Sequence, residues 1–231
     1  MKIIGFAFLL LVGTVVSQEE PTKEVSEFLE DLFPVGDFLG VLVDPVLSGA
    51  ISSMEAGEDA TAAGELEDIL LQAPGHLQAL RLLASCYLRL GDSENAIASC
   101  VEIAGVDSLD ATAQVALGYL YQKMGDIDNA ELYYSLALER DPEAYHALFG
   151  IGWMHLERRN LDAAHDAATR ITEIAPEYAP NYILLGRVLT IKGFYKEAAR
   201  AYRRGFGLEP GLRDRYGILL QELSQRHRLS Q

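Results

Sequence analysis

Small and apolar side chains recur along this chain at one fixed spacing. Gly118, Gly152 and Gly186 stand 34 residues apart, and Ala84 and Ala50 extend that series backwards. Ala62, Ala96, Ala130, Ala164 and Ala198 form a second series at the same period. Pro74, Pro142, Pro176 and Pro210 form a third, with Ser108 in the gap, and Gly57, Gly91, Gly125 and Gly193 form a fourth, interrupted by Arg159. Within one period the apolar positions return every three or four residues, which is the face of a helix. The pattern predicts a helical hairpin repeated five times. In 111–144, Leu117, Gly118 and Tyr121 share a face of the first helix, and Gly125-Asp126 makes the turn. Ala130, Tyr134 and Ala137 then lie on the second helix, and Pro142 ends the unit because it cannot continue a helix interior. Gly118 and Ala130 are small where the two backbones approach; Tyr121 and Tyr134 fill the wider gaps.

The repeats occupy 43–210, as units 43–76, 77–110, 111–144, 145–178 and 179–210. Two units depart from the pattern. The first has Ser53 where a large ring is expected, which leaves its first helix weakly specified. The fourth has His155 in the aromatic register and Arg159-Asn160 at the turn, where asparagine is the residue expected to tolerate a left-handed backbone. Residues 211–231 read as a capping helix, with Leu212, Tyr216, Leu219, Leu220 and Leu223 on one stripe covering the last repeat. Residues 18–42 form an acidic segment in which Val25, Phe28, Leu29, Leu32 and Phe33 make a helical stripe, stopped by Pro34. The apolar run from Phe38 to Val43 has no partner in the repeat pattern; it either covers the first repeat or docks on a membrane or another subunit.

Residues 1–17 carry Lys2, an apolar stretch from Ile3 to Val16, and the small residues Val15 and Ser17. That is the design of a secretory signal peptide, with the mature chain beginning at Gln18 and the protein exported to a periplasm or the extracellular space. Fourteen helical residues rise about 21 Å, short of a bilayer core of about 30 Å. Retained, the same segment would instead act as a signal anchor. Export would put Cys86 and Cys100, on adjacent helices of one hairpin, where a disulfide can persist. Two small buried apolar residues is the simpler reading of the pair.

Composition changes the picture mainly through charge. The chain has 231 residues, 19 basic and 34 acidic, for a net charge of −15. Such a balance argues against nucleic acid, whose phosphates call for a basic surface. The charge is also polarised. Residues 18–74 hold fourteen acidic side chains and one basic, whereas 179–231 hold ten basic and four acidic. This is either a solubilising gradient or a means of steering a partner or a second copy of the chain, head to tail. Of catalytic or metal chemistry there is no motif: no phosphate loop, no nucleophile elbow, and no zinc spacing among His76, His146, His155, His165 and His227. No enzyme activity, small-molecule substrate or cofactor is expected.

The small, aromatic and proline positions at this period resemble those of the tetratricopeptide repeat. The resemblance implies an all-α fold, a right-handed superhelical solenoid of helical hairpins that binds partners on a concave face lined by the first helix of each unit. Once the packing registers are assigned, that face carries Arg81, Ser85, Leu88 and Arg89, then Val115, Tyr119, Gln122 and Lys123. It continues with His146, Phe149, Gly150, Trp153 and Glu157, then Ile183, Leu184, Arg187 and Ile191. The expected partner-binding groove is Arg81, Arg89, Tyr119, Lys123, Phe149, Trp153, Ile183 and Arg187; alternatively Phe149 and Trp153 pack inside the superhelix. Family members that grip the C-terminal carboxylates of cytosolic chaperones use a lysine–asparagine clamp. Its positions here hold Arg81 and Ser85, Ala116, then His146 and Gly150, so that function does not carry over. The expectation is an exported scaffold for a protein or peptide partner, with a membrane-tethered assembly factor, held through residues 1–43, as the rival.

Overall fold

The turns of the second, third and fourth hairpins are built by the same local chemistry. Asp92 and Asp126 sit before the second helices of two successive hairpins, and each carboxylate accepts a backbone N–H three residues on, from Asn95 or Asn129, at 3.2 Å. The side-chain amides of those asparagines donate back to the second carboxylate oxygen at 2.7 Å. These bonds satisfy donors that the first turn of a helix leaves open. The residue before the cap must take a left-handed step, and Gly125 does so at φ 80° without steric cost. In the fourth hairpin this step falls on Arg159, at φ 60°. The expectation that Asn160 would carry it is thus corrected. Asn160 is held as the N-cap, its Oδ1 accepting from the Ala163 N–H at 3.4 Å, so the left-handed position is the one before it, whatever residue stands there.

The computed structural model describes residues 44–107 and 111–229, and every regular element among them is helical. A 3₁₀ turn at Pro45–Leu47 leads into α1 (Ser48–Glu55) and α2 (Asp59–Gln72). There follow α3 (Leu77–Arg89), α4 (Ser93–Val106), α5 (Ala111–Lys123), α6 (Ile127–Arg140), α7 (Tyr145–Glu157) and α8 (Leu161–Ile174). The chain continues with α9 (Ala179–Lys192), α10 (Tyr195–Leu208) and α11 (Leu212–Leu229). Helices α1–α2, α3–α4, α5–α6, α7–α8 and α9–α10 are consecutive hairpins. The expected signal peptide, the stripe from Val25 to Phe33 and the apolar run to Val43 lie outside the described residues. No helix among those described is long and apolar enough to cross a membrane.

The chain divides into two compact units, one ending at Ala116 and the other beginning at Leu117. In the first, Leu47, Ala50, Ile51, Met54, Leu66, Leu82 and Cys86 share one core. The missing ring at Ser53 is answered by polar ties: Ser53 Oγ donates to Glu65 at 3.3 Å, and α1 is only 8 residues long. Cys86 and Cys100 are both buried, and no disulfide joins them. Burial, with Asp59 adding to it, pushes the Cys86 thiol up to about 12, so it stays protonated and packs as a small apolar group.

In the second unit the hairpins interlock through tyrosines set against glycines. Tyr134 is wholly buried, and a Cβ on Gly118 would lie 2.7 Å from its ring. One on Gly150, from the next hairpin, would collide with the same ring. The Tyr134 hydroxyl donates to Gln122 at 2.9 Å, which satisfies the polar tip of a buried ring. Tyr202 repeats the device two units on, 2.5 Å from where a Cβ on Gly186 would stand. After it, α11 closes the last hairpin: Leu212 and Leu223 are buried, with Tyr216, Leu219 and Leu220 packed beside them on a core of Ala179, Ile183, Leu189, Tyr202 and Phe206.

Candidate functional site

Helices α5, α7 and α9 each present one face that the interlock leaves over. In the second unit that face carries Tyr119 and Lys123, then Phe149 and Trp153, then Arg187. All but the exposed Lys123 are half-buried. Phe149 and Trp153 meet edge to face, 6.1 Å between centroids, and both rest on the core made by Leu156, Ala164, Ala168, Leu184 and Val188. The guanidinium of Arg187 lies over the Trp153 ring at 4.9 Å, and the Lys123 ammonium stands 5.3 Å from the Tyr119 ring. Trp153 is therefore neither a free groove side chain nor a core residue. One side of the indole is packed, and a cation covers part of the rest. Contacts of this kind contribute about 0.5–1 kcal/mol at exposed sites and about 2 kcal/mol when desolvated.

Other members of the expected face are drawn inward. Ile183 is 2 % exposed and belongs to the core under α11, so it lines no open groove. Leu184 is buried against the position where Gly152 would carry a Cβ, and Gly150 is consumed by the contact with Tyr134. In the first unit Ser85 and Leu88 are buried as well. There Arg81 is half-buried, and Arg89 is committed to structure: its Nε pairs with Asp59 at 3.2 Å and its guanidinium donates to the Met54 carbonyl at 3.3 Å. The common cause is that a helix wedged between two neighbours has a narrow free stripe. Residues one position off that stripe already touch the adjacent hairpin.

Two aromatic side chains join the site without having been anticipated. Tyr178, at the N-cap of α9, lies 5.4 Å from Phe149, and Tyr145, first residue of α7, lies 5.0 Å from Tyr178. Both stand at helix starts, where periodicity along a face carries no signal. His146 completes the cluster at 8 % exposure, 4.1 Å from Tyr145 and 5.3 Å from Tyr178 between ring centroids. Burial lowers its pKa to about 4, so near neutral pH it is an uncharged ring among rings. Among the described residues no three His, Cys, Asp or Glu side chains gather in a way that could hold a metal ion. The arrangement offers stacking area, a few oriented polar tips and two cations.

A family model for the tetratricopeptide repeat matches residues 49–105 and 115–179, more than half of the chain. No curated protein matches it. Among solved structures, the chain is similar to MamA at 19 % identity and a TM-score of 0.59, covering 71 % of this chain and 96 % of that one. It is also similar to a chain of the APC/C hetero-tetramer Cut9–Hcn1, at 14 % identity and a TM-score of 0.71, covering 86 % of this chain and 40 % of that one. A third similarity is to YrrB, described as a protein of this repeat class with an unusual peptide-binding site, at 17 % identity and a TM-score of 0.53, covering 76 % and 90 %. At such identities the likeness establishes the fold.

Proposed function

The chain belongs to the tetratricopeptide repeat family, and from that premise we propose that it is a non-enzymatic scaffold, exported to a periplasm or the extracellular space. It holds a peptide or helix of a protein partner against the face around Trp153. The observation that carries this reading is the partly open aromatic row Tyr119–Phe149–Trp153 with Lys123 and Arg187 set over its rings. Tryptophan, tyrosine and arginine dominate binding hot spots, and a half-buried patch of them on rigid helices is pre-organised for a partner. The two cations favour a partner segment that carries acidic as well as apolar side chains. The peptide-binding site ascribed to YrrB supports the same class of function. Export rests on Lys2 and the apolar stretch from Ile3 to Val16.

One preparation from the native host tests both parts. Its N-terminal sequence should start at Gln18; a cytosolic chain still beginning at Met1 would remove export and leave the scaffold. Cross-linking in the native compartment supplies the partner. Trp153 is the only tryptophan, so its emission reports this site alone. Acrylamide should quench part of it, and the partner should protect it. Trp153→Ala should weaken partner binding by about 2 kcal/mol or more, roughly 30-fold. Unchanged affinity in a folded Trp153→Ala variant would defeat the assignment of the groove.

A further inference from the structure

Two second helices expose stripes at matching spacing, one basic and one carrying Asp68 with Glu67 beside it. On α10, Lys196, Arg200 and Arg203 fall at i, i+4 and i+7, all exposed, with Gly207 one turn on. Lys196 and Arg203 enter no ion pair among the described residues, and Arg200 has only a same-helix contact with Glu197, at 3.2 Å and solvated. On α2, Gly64, Asp68 and Leu71 repeat the i, i+4, i+7 spacing, and Glu67 stands beside Asp68; all four are exposed. Glu67 accepts a hydrogen bond from the Tyr87 hydroxyl, and Asp68 faces solvent. Leu71 is 81 % exposed, the most exposed large apolar side chain among the described residues. A Cβ on Gly64 or on Gly207 would meet nothing within 4 Å, so each stripe ends at a place where another helix can come close.

We propose that α2 of one copy of this chain docks on α10 of a second copy. The occupant follows from charge. Residues 18–74, which contain α2, hold fourteen acids and one base, while α10 carries four bases and one acid, so each face has its complement on the same sequence. Spacing then sets the register. With the helices antiparallel, Gly64 lies beside Gly207, Glu67 and Asp68 face Arg203, and Leu71 rests on the aliphatic stem of Arg200. The contact uses none of the groove residues of the preceding section, so it stands or falls separately from that site.

The test is sedimentation of the full chain at two salt concentrations. Association should be seen at about 0.01 M salt, where screening reaches about 30 Å, and be lost at about 1 M, where it reaches about 3 Å. Glu67→Lys with Asp68→Lys should abolish association, and so should Arg200→Glu with Arg203→Glu; circular dichroism checks that both remain helical. Mixing the two charge-reversed variants should restore pairing as a mixed complex, which a loss of folding could not do. A single monomeric species at low salt would overturn the proposal. So would association that strengthens with salt, or reversed variants that associate as the parent chain does.

Discussion

At Arg159 the repeat imposes a backbone conformation on a residue unsuited to it. Glycines at 57, 91, 125 and 193 make the same step at φ between 75° and 85°, whereas Arg159 makes it at 60° with a Cβ to accommodate. The left-handed region costs an L-residue about 1–2 kcal/mol, and glycine returns part of that through its greater unfolded-state freedom. Arg159→Gly should therefore stabilise the fold by about 0.5–1 kcal/mol, read as a higher urea midpoint at constant slope. His146 makes a second demand on single-residue chemistry. Its folded pKa of about 4 lies below the ordinary 6.5, because burial disfavours the charged ring. The unfolded chain then binds the extra proton first, so stability is fully present above pH 6.5 and declines as pH falls toward 4. The slope should approach about 1.4 kcal/mol per pH unit in that window. Asp44 and Asp162, whose carboxylates are held below their ordinary value by hydrogen bonds, add their own losses at lower pH. Thermal melts across this window should show the decline, and His146→Phe should flatten it; an unchanged slope in that variant would place the proton elsewhere.

Elements were far more legible in the sequence than the side chains of the site. Every hairpin turn falls where the 34-residue series places glycine, or Arg159 in its stead, because the turn chemistry is local and uses residues within a few positions of one another. The small positions are legible but their reason is corrected: the period implies two backbones meeting at Gly118, whereas the ring of Tyr134 fills that space, as the ring of Tyr202 does at Gly186. What periodicity could not supply was the width of the free stripe on α7 and α9. Ile183 and Trp153 both lie off the packing registers, yet Ile183 is sealed beneath α11 while Trp153 keeps an open side. That difference depends on what the capping helix reaches, a non-local fact. Tyr145 and Tyr178 escaped notice because they stand at helix starts. Arg89 shows the same limit from the opposite direction, since its spacing suited a groove while its guanidinium is spent on Asp59 and Met54.

For the whole molecule, a repeat protein has no single core whose loss unfolds everything. Its stability is closer to a sum of hairpin and neighbour terms, so damage should spread from where it is made. The last hairpin illustrates this, because its exposed side is covered by α11 rather than by another repeat. Leu212 and Leu223 are buried there, and Tyr216, Leu219 and Leu220 pack at the rim. Burying each such leucine contributes about 1.5–3 kcal/mol, so the two alone represent about 3–6 kcal/mol. That is a large part of the roughly 5–15 kcal/mol available to a domain. Ending the chain at Pro210 should therefore uncover Ala179, Ile183, Tyr202 and Phe206 and lower solubility. Hydrogen exchange should locate the effect. Protection should fall most in α9 and α10, less in α7 and α8, and least in α3 and α4, which belong to the other compact unit. A truncated chain that melts as the parent does would show α11 to be a tail rather than a cap. Equal loss of protection in α3 and α4 would show instead that the two units share one cooperative transition.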